Sequence, residues 1–254
     1  MNSVNSKISL HINGLGRFGQ QLLFHWLHKP KHLELVRLSD QKIKATEACE
    51  LLLNHDRLDF TPFVPRVINN QLCLTLSNGN TISLPYYCGE LALSPDFGLA
   101  DYWLECSGNY TDADYCRKHF GGKTKRVVIS VTLENADKTL ILGFNENEFK
   151  PSHKVISYGS CTVNAFVPLA NWIDKNLGLL EADVNVIHNM PDYRIDSNTY
   201  PYHKFCTLET MATKLLKRIR PENFHVNYTM IPFRGVSLLN LRFKTESSNN
   251  QEAL

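Results

Sequence analysis

A cysteine stands inside the stretch "SYGSCTVNAFVPLANWI", residues 157–173, where a turn of small residues runs into an apolar pattern of helical period. A thiol at the start of a helix is a candidate nucleophile. The thiolate is the reactive form, and a free cysteine, with a pKa near ~8.5, is mostly protonated at neutral pH. The positive end of the helix dipole and the first N–H groups of the helix lower that value and can hold a developing oxyanion. Cys161 is therefore a candidate nucleophile, the alternative being an inert buried thiol. A second pattern lies near the N-terminus. "INGLGRFGQ" carries Gly14, Gly16 and Gly19 in the GxGxxG spacing. Those glycines serve a tight turn, a close approach of backbone to a pyrophosphate, and close helix–strand packing. Asp40 follows 21 positions after Gly19, at the end of the next strand pattern. A carboxylate there accepts hydrogen bonds from an adenosine ribose and repels a 2′-phosphate, so NAD is expected over NADP. The alternative is a structural glycine turn with an incidental acid.

Alternating elements must position these groups. "KISLHIN" reads as an apolar strand, "RFGQQLLFHWLHK" as a helix stopped by Pro30, and "LELVRLSD" as a second strand. This is a βαβ opening, with parallel strands and a right-handed crossover. A second helix is predicted over 43–54. "QLCLTLSNGNTISLPYY" then gives two alternating runs joined through Asn78-Gly79, a hairpin signal. "DYWLECSG", "KRVVISV" and "TLILGF" are short apolar runs bounded by turn residues, as buried parallel strands are. Beyond them the pattern predicts a helix over 162–176, a strand in "ADVNVIHNM", a helix over 207–220, and strands in "NYTMIP" and "VSLLNLRFKT". Lys214, Lys217, Arg218 and Arg220 fall among Leu215, Leu216 and Ile219 at helical spacing and read as one solvated helix face. The tail SSNNQEAL is polar and expected to be disordered.

The 27 basic and 25 acidic residues leave a formal charge of only +2, a balance that argues against nucleic acid or anionic membrane as partner. Seven cysteines, an odd number without a CxxC pair, exclude a disulfide framework or zinc ribbon and fit a reducing cytosol. Cys49, Cys73, Cys88, Cys106, Cys116 and Cys206 read as small inert thiols. His25 and His28 lie three apart on the first helix without a third ligand, so no metal is expected. The opening "MNSVNSKISLHING" has no leader-like apolar region, and no run approaches the ~18 apolar residues of a membrane span. A soluble, cytoplasmic protein is expected.

Several motifs in order resemble the glyceraldehyde-3-phosphate dehydrogenase family, including erythrose-4-phosphate dehydrogenase, over residues 8–243. The family's "NGFGRIGR" stands here as "NGLGRFGQ", its "ND" as Ser39-Asp40, and its "ESTG" as Glu105-Cys106-Ser107-Gly108. Its "KRVIISAP" stands as "KRVVISVT" (125–132), and its "SCTTN" as Ser160-Cys161-Thr162-Val163-Asn164. The family histidine falls at His188 in "VIHNM", 27 residues after the cysteine. The resemblance implies an α/β fold: a Rossmann-type NAD-binding domain over 1–156 and a second, α+β catalytic domain over 157–254. It implies Cys161 as nucleophile with His188 as general base, and cofactor contacts from Gly14, Gly16, Arg17, Phe18, Gly19, Asp40, Ser107, Gly108 and Ser130. It also implies substrate contacts from Ser160, Thr162, Thr210 and Arg234, a phosphorylated aldehyde as substrate, inorganic phosphate as a further partner, and a homo-oligomer.

The sequence departs from the family in three places. Where the family has an arginine two residues before a proline, this chain has Met230, with Arg234 four positions on. The loop "NMPDYRIDSNTYPYHKFCTLE" between His188 and Thr210 is shortened and rewritten. The sequence also stops soon after "SLLNLRFKTE", before the family's "WYDNE.GY" segment, so the catalytic domain is expected to be C-terminally reduced. The expected activity is NAD-dependent oxidation of glyceraldehyde 3-phosphate or erythrose 4-phosphate through a thioester on Cys161, released by phosphate or water. The departures keep two alternatives open. One is a degenerate homologue that binds NAD or a protein partner without turnover. The other is an esterase-like or redox use of the activated thiol.

Overall fold

The computed structural model of the chain describes residues 7–29, 32–76, 79–90, 98–118, 121–190, 195, 200–233 and 235–246. The chain divides into two compact units, Met1–Thr139 with Phe149–Tyr158, and Leu140–Glu148 with Gly159–Leu254.

In the first unit β1 (Ile8–Asn13), α1 (Arg17–His28) and β2 (Leu33–Asp40) form the expected βαβ opening, with β1 and β2 parallel. There follow α2 (Ala45–Leu53), β3 (Arg66–Ile68), β4 (Gln71–Thr75), β5 (Thr81–Cys88), β6 (Tyr102–Glu105), α3 (Ala113–Lys118), β7 (Arg126–Ile129), β8 (Lys138–Thr139) and β9 (Val155–Ser157). The sheet runs β3-β4-β5-β2-β1-β6-β7-β9-β8. All pairings from β5 to β8 are parallel, and β3 and β4 add an antiparallel extension. The strand order reverses at β1, which has β2 on one side and β6 on the other. In open parallel sheets that reversal opens a crevice at the strands' carboxyl ends. β1 alternates apolar and polar residues yet is buried on both faces from Ser9 through Asn13, because its polar side chains are satisfied inside: Ser9 donates to Asp101 (2.6 Å), His11 meets Ser39 (2.7 Å) and Asn13 donates to Glu105 (2.6 Å). Leu23 and Leu27 of α1 join Ile12, Leu38, Leu52, Leu72 and Leu84 in one core.

Local chemistry moves two boundaries from their sequence expectations. α2 starts at Ala45 because the Lys44 N–H donates to the Glu47 carboxylate (2.7 Å), a capping arrangement. The run "TLILGF" is a strand only at its first residue, Thr139. After it the Ile141 N–H donates to the Asn145 side chain (2.8 Å), taking the donor that a ladder would need. The β4–β5 pairing is the expected hairpin; Asn78 of its turn lies outside the described residues.

The second unit holds α4 (Cys161–Leu177), β10 (Leu179–Asn189), β11 (Tyr202–His203), α5 (Thr207–Leu215), β12 (Phe224–Ile231) and β13 (Leu238–Thr245). Its sheet is ordered β11-β12-β10-β13, with β10 and β12 parallel and the other pairs antiparallel. α4 buries Val163, Phe166, Val167 and Ala170 against Leu208 and Met211 of α5 and Val184 and Val186 of β10. The Phe166 ring lies 5.0 Å from Phe224 and 5.8 Å from Phe243. The helix expected over 207–220 ends at Leu215, because Leu216 turns to extended backbone. Asn223 ties the following turn, its side chain accepting the Arg220 N–H (2.8 Å) and donating to the Arg218 carbonyl (2.9 Å). Lys217, Arg218 and Arg220 therefore lie beyond the helix and do not extend a face from Lys214. Burial of Leu216 and Ile219 in the core explains the misleading periodicity. Among the described residues no helix is long and apolar enough to cross a membrane, and none form a group of three or more potential metal ligands.

Candidate active site

Cys161 is the first residue of α4, and its side chain is exposed. The preceding turn needs glycine. Gly159 has φ +77°, and a Cβ there would lie 2.8 Å from the Ile141 side chain. Ser160 caps the helix by accepting the Val163 N–H (3.3 Å). His188 is the penultimate residue of β10, and its Nε2 lies 3.3 Å from the Cys161 sulfur. Its other ring nitrogen, Nδ1, is 2.8 Å from the Asn189 carbonyl oxygen. A carbonyl only accepts, so the hydrogen-bond pattern assigns the proton to Nδ1 and leaves the Nε2 lone pair facing the thiol. Transfer of the thiol proton to Nε2 then creates a thiolate beside an imidazolium, at the positive end of α4. Asn189 is itself pinned, donating to the Gly235 carbonyl (2.7 Å) and accepting from the Ser237 hydroxyl (3.0 Å).

Beside the thiol is a cluster of hydroxyls. Ser160 Oγ and Thr162 Oγ1 are 2.9 Å apart, and Thr207 donates to Ser160 Oγ at 3.4 Å. Thr162 also meets the buried Cys206 sulfur at 3.8 Å. α4 and α5 both begin at this cluster, so two helix N-termini with three hydroxyls suit an anion. Thr207 was not picked out from the sequence. Thr210 was, yet its hydroxyl lies further along α5 and donates to the Thr207 carbonyl (3.2 Å). The helix starts at Thr207 as expected, its end tied by the Cys206 N–H to Glu209 (3.3 Å); that this start lies against Ser160 of α4 is set by packing, which no local pattern shows. Met230 is buried and registers with His188 across the β10–β12 ladder, so an apolar side chain occupies that position. Arg234 lies outside the described residues.

The glycine residues gather in the first unit at the switch point. Gly14 has φ +94°, and a Cβ there would come within 2.4 Å of the Ser107 nitrogen. Gly19 is closed by the Gly14 carbonyl, 1.9 Å from a Cβ position, whereas nothing lies within 4 Å of one at Gly16. Gly16 caps α1 without a side-chain hydrogen bond, and the first turn, with Arg17 and Phe18 exposed, carries no acid. An open glycine at a helix start without an anionic cap fits a pyrophosphate. Asp40 is buried and accepts from the amides of Leu15 (2.9 Å), Lys42 (2.9 Å) and Ile43 (3.0 Å), so it braces the loop. Glu105, also buried, accepts from Asn13 Nδ2 (2.6 Å) and from both the N–H (2.7 Å) and hydroxyl of Ser107. Burial pushes its carboxyl up to about 7 despite those hydrogen bonds. Gly108 follows Ser107, and the Ser130 N–H donates to the Glu105 carbonyl (2.9 Å). A shallow cleft lined by Gln41, Asn109, Tyr110 and Tyr115 borders the Asp40 turn. Its lining residues stand in no motif that marks a cleft.

A parallel sheet with a glycine loop at its switch point, in a chain with a smaller second sheet, defines a Rossmann-type dinucleotide-binding domain accompanied by a catalytic domain. No protein-family model matches the chain. Individual relatives do. Glyceraldehyde-3-phosphate dehydrogenase 2 of Streptomyces avermitilis is 29% identical over 187 residues, 71% of this chain and 53% of that protein. Glyceraldehyde-3-phosphate dehydrogenase 1 of Trichormus variabilis is 32% identical over 195 residues, 73% of this chain and 53% of its own length. Glyceraldehyde-3-phosphate dehydrogenase of Streptomyces coelicolor is 28% identical over 187 residues, 71% and 53% of the two lengths. The chain belongs, as a divergent member, to the glyceraldehyde-3-phosphate dehydrogenase family. It spans about half the length of the curated relatives it matches.

Proposed function

We propose that the protein oxidises a phosphorylated aldehyde, glyceraldehyde 3-phosphate or erythrose 4-phosphate, with NAD as cofactor and Cys161 as nucleophile. The observation that carries this reading is the 3.3 Å contact between Cys161 Sγ and an Nε2 whose ring is held by the Asn189 carbonyl. The Cys161 thiolate adds to the aldehyde carbon, and the His188 imidazolium gives its proton to the carbonyl oxygen. The same ring takes that proton back as the carbon gives up its hydrogen as hydride and the carbonyl re-forms, leaving a thioester on Cys161. The nicotinamide cofactor, held by the Gly14–Gly19 loop with Asp40, Ser107, Gly108 and Ser130 near it, supplies the hydride acceptor when bound. The cluster of Ser160, Thr162 and Thr207 favours inorganic phosphate over water as the group that attacks the thioester and expels the thiolate. A cytoplasmic setting and an oligomer of like chains go with this reading.

NADH formation from either aldehyde, with phosphate present, tests it. Cys161→Ser is expected to abolish the activity; an unchanged rate in that variant would sink the reading. A second reading rests on Met230, an apolar side chain paired with His188. In that reading the protein binds cofactor without turnover. It is supported if cofactor binds and neither aldehyde yields NADH, and a burst of NADH eliminates it.

A further inference from the structure

Tyr228 lies on β12 in register with Val186, two residues before the Met230–His188 pair. Alternate residues of a strand share a face, so its ring is on the His188 side of the sheet and close enough to meet the imidazole. The two rings have centroids 5.5 Å apart and planes 28° apart, an offset stack. The backbone beneath is fixed, since the Tyr228 carbonyl accepts the Lys204 N–H (3.1 Å). The phenol is half-buried, and desolvation together with the Cys161 sulfur pushes its ionisation well above the ordinary tyrosine range. The ring therefore stays neutral at any working pH and presents an electron-rich face to the imidazole. Other titratable groups on the surrounding elements are Cys206 and Glu209 at the start of α5, and Tyr202, His203 and Lys204 at β11. Cys206 is buried, its thiol pushed up by desolvation and held protonated.

We propose that Tyr228 is a positioning residue for the reactive pair: its ring, stacked on His188, holds Nε2 on the Cys161 sulfur and stabilises the thiolate–imidazolium form. The inference rests on Cys161 and His188 acting as that pair. Two effects follow from the stack. The ring wall limits rotation of the imidazole about its own bond, and the aromatic face favours the cationic over the neutral ring. Both raise the thiolate fraction at mildly acidic pH, where an ordinary cysteine is unreactive.

Alkylation of Cys161 by iodoacetamide across pH tests this on the full chain, with the labelled peptide identified by mass spectrometry and each variant's melting temperature recorded. The unsubstituted protein is expected to retain reactivity below the range of a free thiol. Tyr228→Phe keeps the ring and the profile. Tyr228→Leu is expected to move the profile to higher pH and slow low-pH alkylation about fivefold; should it melt early, Tyr228→Met, without a ring and close in volume to Leu, replaces it. His188→Asn separates the two ideas. If it leaves the profile unmoved, the pair itself is refuted. If it moves the profile while the ringless, well-folded Tyr228 variant does not, the pair stands and the role of Tyr228 is overturned. Loss in Tyr228→Phe equal to that in Tyr228→Leu also overturns it, because the hydroxyl rather than the ring would then matter.

Discussion

The Asn189 carbonyl requires a proton on His188 Nδ1, and that requirement turns Nε2 into the acceptor that Cys161 faces. Replacing His188 by Asn removes the acceptor but keeps a polar side chain of similar bulk. The turnover rate is expected to fall about 10²–10⁴-fold with little change in KM, measured as NADH formation at saturating aldehyde. Glu105 gives a second expectation, on stability. Its carboxyl is raised from 4.5 to about 7 in the folded chain, so between those values the folded state binds the proton that the unfolded state has released. Stability therefore declines as pH rises through that window and levels off above it. Glu105→Gln should flatten that decline in denaturant titrations compared across pH. A slope identical to that of the unsubstituted chain would contradict the assignment. The types of Cys161 and His188 and their order were readable in the sequence because they sit in motifs. Their pairing was expected only through the family resemblance, and the stacked Tyr228 was not expected at all, because register between distant strands is set by packing that no local pattern encodes.

Elements answer a different question, how the glycine loop divides its labour. Gly14 and Gly19 are closed in by the protein's own backbone, while Gly16 faces open space. Gly14→Ala should destabilise the first unit by about 1–3 kcal/mol, since it combines a left-handed backbone with a clash against Ser107. Gly16→Ala should melt like the unsubstituted protein yet bind cofactor about tenfold more weakly, because its methyl group fills space that a pyrophosphate needs. Thermal melts alongside cofactor titrations check both; equal melting losses in the two variants would show that the open space at Gly16 is structural. The βαβ opening was legible because β1, α1 and β2 are punctuated by Gly14 and Pro30 and change period cleanly. The end of α5 was not. Leu216 and Ile219 are buried from a turn, and burial from a turn leaves the same apolar spacing as a helix.

Over the whole molecule, two units with separate hydrophobic clusters carry the two halves of the proposed chemistry, the cofactor loop in one and the thiol in the other. Phe166 is fully buried between Phe224 and Phe243 in the unit that bears Cys161. Phe166→Ala should cost that unit about 3–5 kcal/mol, seen as a lower unfolding midpoint and faster, less pH-dependent labelling of Cys161. The α/β class was legible from alternating strand and helix patterns. The membership of Leu140–Glu148 in the second unit was not, since Ile141 packs into a core made otherwise of residues beyond Gly159. The most direct measurement of the central claim is the mass of the protein after incubation with aldehyde and NAD in the absence of phosphate. The account expects one acyl group per chain, located on the peptide containing Cys161 and removed on adding phosphate. A chain that binds the cofactor but leaves Cys161 unmodified would contradict it.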